Sequence, residues 1–168
     1  MFQSLNFQDL NLGRADRIVK IIDPLVIELD NYGLVNLVGI DVPDYSPHEQ
    51  GPIAESAVNI LKDMALDQNV RLYMTQDRNV GRKNRMGHYL FHVVLDKDES
   101  WVQGVLVRLG LARVRSDKSN PEAIRDLYEL EKKARAEKLG LWAFDDYKIK
   151  TPESVKDHKN SFQIVEGT

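Results

Sequence analysis

The 168-residue sequence contains no cysteine, which excludes a disulfide-built scaffold and a zinc ribbon. It has no apolar run approaching the ~20 residues that a membrane-spanning helix needs, so no membrane partner is expected. The amino terminus, MFQSLNFQDL, has neither the basic nor the apolar segment of a secretory signal. No compartment is indicated, and secreted, periplasmic and cytoplasmic locations all stay open. Charge of one sign is also scarce. Against 26 acidic side chains stand 23 basic ones, for a net charge of −3, without the basic excess common in domains that hold nucleic acid nonspecifically. What is present is a 42% hydrophobic content. A soluble chain of this length is expected to bury roughly 70% of its unfolded surface around a core of its own.

Residues 1–16 are polar with scattered apolar side chains and no sustained period, and read as an amino-terminal arm. Arg17–Ile22, Leu25–Asp30 and Leu34–Ile40 are β-branched runs, the last two separated by the turn signal Asn31-Tyr32-Gly33. Asp41–Gly51 carries two prolines and reads as a loop, after which Ile53, Ala57, Ile60, Leu61 and Met64 fall at helical spacing. Val70–Thr75 and His88–Leu95 predict two more strands. Between them lies the one locally basic stretch, with Arg78, Arg82, Lys83 and Arg85. Val102, Val105, Leu106 and Leu109 predict a short helix stopped at Gly110. The final helix is expected to have Asn120 as N-cap, Pro121 at its first position, and Ile124, Leu127, Tyr128 and Ala134 on its buried face.

The order is therefore βββαββαα. Five short strands leave two open hydrophobic edges unless the sheet closes. The expected fold class is α+β: a five-stranded, OB-fold-like Greek-key β-barrel with three helices. The domain is expected over residues 17–145. A polar tail, 146–168, follows, in which Phe162–Val165 reads as the start of a further β module.

Several segments carry a more specific signal. Ile21-Ile22-Asp23-Pro24-Leu25-Val26, Asn36-Leu37-Val38-Gly39-Ile40-Asp41-Val42-Pro43-Asp44 and Asn84-Arg85-Met86-Gly87-His88-Tyr89-Leu90 occur in that order. Trp101-Val102-Gln103-Gly104, Leu109–Val114 and Glu131–Trp142 follow. Over roughly Ile18 to Ala143 the chain resembles the staphylococcal-nuclease-like (thermonuclease-like) domains. The resemblance implies a family that hydrolyses DNA and RNA phosphodiesters with a bound calcium, a carboxylate beside the attacking water and two arginines on the phosphate.

Carried over residue by residue, the resemblance places Asp41 at a metal ligand, Asp23 on the rim of the metal site and Asp44, one methylene short, at the carboxylate that orients water. Three positions depart from the family pattern. Leu25 replaces a metal-ligand aspartate, while Asn36 and His88 replace the phosphate arginines. Leucine offers calcium no oxygen. An arginine in phosphoryl transfer can contribute about 10³ to 10⁵ in rate, and asparagine does not reproduce its two-pronged grip. The expectation is a catalytically impaired or inactive domain, a pseudoenzyme, that acts as a nucleic-acid- or protein-binding or structural module. It needs no cofactor, or calcium if the site is partly retained. The alternative is a divalent-cation-dependent nuclease with a rearranged site, using Asp41 and Asp23 for metal, Asp44 for water, and His88 or Arg82 for phosphate.

Arg82 enters because Asp77-Arg78-Asn79-Val80-Gly81-Arg82 is a second near-match to the family's loop motif. The register that uses His88 is preferred, since the other needs a longer loop to keep Leu90-Phe91-His92 in the strand. Arg78, Arg82, Lys83 and Arg85 are candidate phosphate contacts, with Tyr89 and Phe91 as candidate stacking partners for bases. His88 and His92 are four residues apart on a strand, about 13 Å at 3.3 Å per residue, too far to share an ion. Both are expected to be ordinary, half-exposed strand residues.

Overall fold

Apolar residues at every second position, interrupted by Asp-Pro and Asn-Tyr-Gly, divide the first third of the chain into three strands. These are β1 (Leu10–Asp23), β2 (Val26–Leu29) and β3 (Gly33–Leu37). The computed structural model describes residues 10–76, 82–116, 123–144, 149–150 and 164–165. Short pairs follow, β4 (Ile40–Asp41), β5 (Tyr45–Ser46) and β6 (Glu49–Gln50), and then helix α1 (Pro52–Ala65). The remaining main elements are β7 (Asn69–Thr75), β8 (Tyr89–Leu95), α2 (Val102–Arg108), β9 (Arg113–Val114) and α3 (Ile124–Ala136). A 3-10 turn covers Gly140–Ala143, and β10 (Ile149–Lys150) pairs in parallel with β11 (Ile164–Val165).

Five strands close into a barrel in the order β1-β2-β3-β8-β7. Every neighbour is antiparallel except β3 and β8, which run parallel. Closure removes the exposed edges that a five-stranded sheet would leave. Ile18, Ile27, Val35, Leu72, Phe91 and Val93 are fully buried and fill the interior. Buried Gln103 of α2 donates to the carbonyls of Phe91 (2.8 Å) and Val38 (3.3 Å) and accepts the Val93 N–H (3.2 Å), tying that helix to β8. After α2 the chain turns at Gly110 (φ +75°) and runs against Gly140, whose neighbour Leu141 donates to the Gly110 carbonyl at 2.8 Å. A side chain at Gly110 would meet the Leu139 carbonyl, so this close backbone approach requires glycine.

Four expectations are corrected. Residues 10–16, read as arm, form the first half of β1 and pair with β7, Leu10 opposite Thr75 and Asp16 opposite Val70. A β-bulge between Leu12 and Ala15 broke the alternation that would have marked the strand. The third helix begins at Ile124 after Ala123, which has φ +66°; Asn120 and Pro121 lie outside the described residues. Tyr128 is about half exposed, and the buried face of α3 is instead Leu127, Glu131 and Ala134. His92 is buried, because α2 and Trp101 cover the outer face of β8 there.

Candidate functional site

The β1–β2 turn carries the first pair of residues. Asp23 accepts the Leu25 N–H at 2.8 Å, closing an Asx-type turn, and its other oxygen accepts the Tyr45 hydroxyl at 3.2 Å. Burial, reinforced by the charge and hydrogen bond of Asp23, pushes the Tyr45 phenol up from its ordinary pKa. Leu25 is half-buried against the hydrophobic core. The position that would supply a metal ligand is thus used for packing.

Asn36 faces outward from β3 and meets His88 just before β8. Its Oδ1 lies 2.8 Å from His88 Nδ1. An amide oxygen only accepts, so with this amide orientation Nδ1 carries the proton and donates. The turn before β8 sets this contact. Asn84 accepts the N–H groups of Met86 and His88 through its side chain, both at 3.0 Å, and Gly87 takes φ +79°. Asn84-Arg85-Met86-Gly87-His88 therefore folds as one closed turn that delivers His88 to Asn36. Arg82 is tied elsewhere, its Nε donating to the Thr75 carbonyl at 3.1 Å. Arg78 lies outside the described residues.

Asp41 sits on β4 directly opposite Arg113 on β9. Its Oδ2 accepts from Arg113 Nη2 at 3.1 Å and from Nε at 3.3 Å, and both side chains are only about a fifth exposed (20% and 22%). Strand β9 is held in turn from α3: buried Glu131 accepts the Val114 N–H at 2.9 Å and pairs with Arg135 at 3.0 Å. Arg113 was visible in the sequence only as part of a helix signature. No local pattern marks it as the partner of a residue 72 positions away.

Asp44 has a third kind of environment. Helix α1 starts after Gly51, which has no side chain to cap it. The cap comes from Asp44, whose Oδ2 accepts the Ile53 N–H and whose Oδ1 accepts the Ala54 N–H, both at 2.8 Å. Near Asn36 a shallow cleft of about 480 Å³ is bounded by Val38, Gly39, Leu90, Arg115 and Ser116. Arg115, exposed there and anchored by its N–H to the Gly39 carbonyl at 2.9 Å, is a cation that the sequence reading missed. Its signal would have been position alone, two residues after Arg113.

Of the residues expected to form one site, the structure brings together Asn36 with His88 and links Asp23 to Tyr45, next to Asp44. Among the described residues no three His, Cys, Asp or Glu side chains cluster so as to hold a metal.

The staphylococcal nuclease homologue family matches residues 34–144, more than half of the chain. The chain belongs to that family, and the closed barrel with three helices is its fold. The matched segment contains Asn36, Asp41, Asp44 and His88 but begins after Asp23 and Leu25. No curated protein matches the chain. The family is in general calcium-dependent, and the donor set here does not fit a calcium ion. Leu25 has no oxygen, one Asp41 oxygen is engaged by a guanidinium, and both Asp23 oxygens accept hydrogen bonds. Hard cations require several convergent oxygens.

Proposed function

We propose that this domain binds nucleic acid on the Asn36–His88 face without cleaving it by the family's metal-dependent route. The observation that carries the reading is the Asp41–Arg113 pair, in which a protein cation stands against the aspartate that the resemblance assigns to calcium. Removing the guanidinium would leave a partly buried carboxylate unpaired, which is unfavourable. The second support is the replacement of two arginines by the Asn36–His88 hydrogen bond. Each such arginine contributes about 4 to 7 kcal/mol of transition-state stabilisation in phosphoryl transfer. Binding requires less: hydrogen-bonding groups, a cleft and a nearby cation, which Asn36, His88 and Arg115 supply.

The test is paired. Fluorogenic single-stranded DNA and RNA, incubated at high protein concentration with calcium, magnesium or manganese, should be cleaved no faster than with a chelator. Anisotropy of the same strands should show binding that falls steeply with salt. Chelator-sensitive turnover that disappears in Asp41→Ala would overturn the reading in favour of a rearranged nuclease. Absence of binding at low salt would overturn it in favour of a protein partner.

A further inference from the structure

Beside the β2–β3 hairpin lies a second cleft, whose lining shares no residue with the cleft near Asn36. About 620 Å³ in volume, it is lined among the described residues by Arg14, Ala15, Asn31, Tyr32 and Tyr89. Tyr89 points along the barrel interior, like Phe91 two residues on. The two rings stack with centroids 5.3 Å apart and planes 3° from parallel. Tyr32 meets both edge-to-face at 5.1 Å. Phe91 is fully buried, so it is a fixed floor rather than the exposed stacking partner expected from sequence. Tyr32 and Tyr89 are half-buried and open to the cleft. The Lys83 ammonium lies 4.5 Å from the Tyr89 centroid, which shows that this ring presents a face to an exposed side chain.

The charge around these rings decides the ligand. Arg14 lines the cleft and Lys83 stands over the Tyr89 ring, and both are exposed cations. The nearest buried carboxylate, Asp16, is consumed by the fold: it accepts the N–H groups of Arg17, Asn31 and Tyr32 and the Asn31 amide, at 2.8 to 3.1 Å. Those bonds hold the hairpin, and with it Tyr32, in place. Among the described residues no carboxylate lines this cleft, exposed Asp30 and Asp96 bordering the neighbouring groove instead, and an aromatic cleft with cations beside it suits a planar, anionic ligand. Bases stack on aromatic rings whatever their identity, and each brings a phosphate for a nearby lysine or arginine.

We propose that this cleft is a second nucleic-acid site, in which one unpaired base stacks on the Tyr89 face and meets the perpendicular Tyr32 ring edge-on, while Arg14 and Lys83 take the adjoining phosphates. Lys83 leaves the ring face for the phosphate as the base arrives. This rests on the nucleic-acid reading above and extends it to a face that the altered catalytic residues do not touch.

The experiment uses the full chain and a fluorescein-labelled oligothymidylate, with a matching strand that carries one 5-iodouracil for photo-crosslinking. The cross-link is expected on the peptide containing Tyr32 or Tyr89. Arg14→Gln with Lys83→Gln, both on the surface, should lower the salt slope of log K by about 1.4, at ~0.7 per phosphate contact on a single strand. Tyr89→Leu, checked for an unchanged melting transition, should weaken binding about tenfold, the loss of one stacked base. If the cross-link maps elsewhere and only Arg115→Gln weakens binding, this cleft is not a site and the reading of the Asn36–His88 face survives. If the oligonucleotide does not bind at all, both fall.

Discussion

Replacing Asp44 by alanine tests whether this carboxylate belongs to the fold. In the structure it is the cap of α1, supplied from seven residues before the helix's own N-cap position because Gly51 has no side chain. The two amides it accepts belong to Ile53 and Ala54, which are 6% and 0% exposed, so water is poorly placed to replace the lost oxygens. Loss of an Asp N-cap costs typically ~1 kcal/mol. Loss of a negative charge at a helix amino terminus adds about 0.3 to 1 kcal/mol. With both amides left buried, the sum should reach about 2 kcal/mol. Asp44→Asn keeps one of the two accepted hydrogen bonds and loses the other with the charge, so it should cost an intermediate amount, about 1 kcal/mol. Urea unfolding would read the difference as a lower midpoint at unchanged slope. Gly51→Ala should act in the same direction, since a methyl group there would overlap the Asp44 carboxylate. A loss below about 0.5 kcal/mol for Asp44→Ala would refute the capping argument.

Burial holds the His92 ring neutral, with its pKa pushed down to about 3 from 6.5, while Nδ1 accepts the Trp101 indole N–H at 3.3 Å. The unfolded chain therefore binds a proton that the native state refuses, and stability should fall as pH drops from about 6.5 towards 3, by up to ~1.4 kcal/mol per unit. His92→Gln should flatten that slope in pH-dependent denaturation; an equally steep slope in the variant would sink the assignment. Arg113→Met should lower stability by about 1 to 3 kcal/mol in urea by leaving Asp41 unpaired and partly buried, and an unchanged midpoint would show that the pair contributes nothing. Millimolar calcium should leave the melting temperature of the parent chain unchanged, whereas a rise of several degrees would reveal a cation site. Leu25→Asp with Asn36→Arg and His88→Arg should fail to restore cleavage while Arg113 remains, and turnover in that triple variant would show that the guanidinium does not block the site.

The architecture was largely legible in the chain. Alternation in Leu25–Asp30 and Val70–Thr75, the turn at Asn31-Tyr32-Gly33, and the 3.6-residue spacing from Ile53 to Met64 each act over a few residues and produced the expected elements, whereas the expected strand Leu34–Ile40 divides into β3, ending at Leu37, and the separate β4, which pairs with β9. Where local pattern failed, a distant neighbour had overridden it. The bulge in β1 hid seven residues of strand that β7 alone completes. Tyr128 fits the helical period, yet buried Glu131 occupies the inner face because the Val114 amide needs an acceptor. His92 alternates like an exposed residue, but α2 covers it.

The barrel, the helices and the family were readable from the residues alone, as was the presence of leucine, asparagine and histidine at three positions of the family's chemistry. The sequence carried this information because strand, helix and turn preferences are local and because side-chain chemistry is a property of the residue. What those positions do now depends on contacts made across the folded chain. The Asp41–Arg113 pair spans 72 positions and the Asn36–His88 hydrogen bond 52. Both exist because closing the barrel and pairing β4 with β9 bring distant backbones into register. The same closure brought Tyr32 of the hairpin against Tyr89 and Phe91, which share one face of β8, and so built the aromatic side of a cleft.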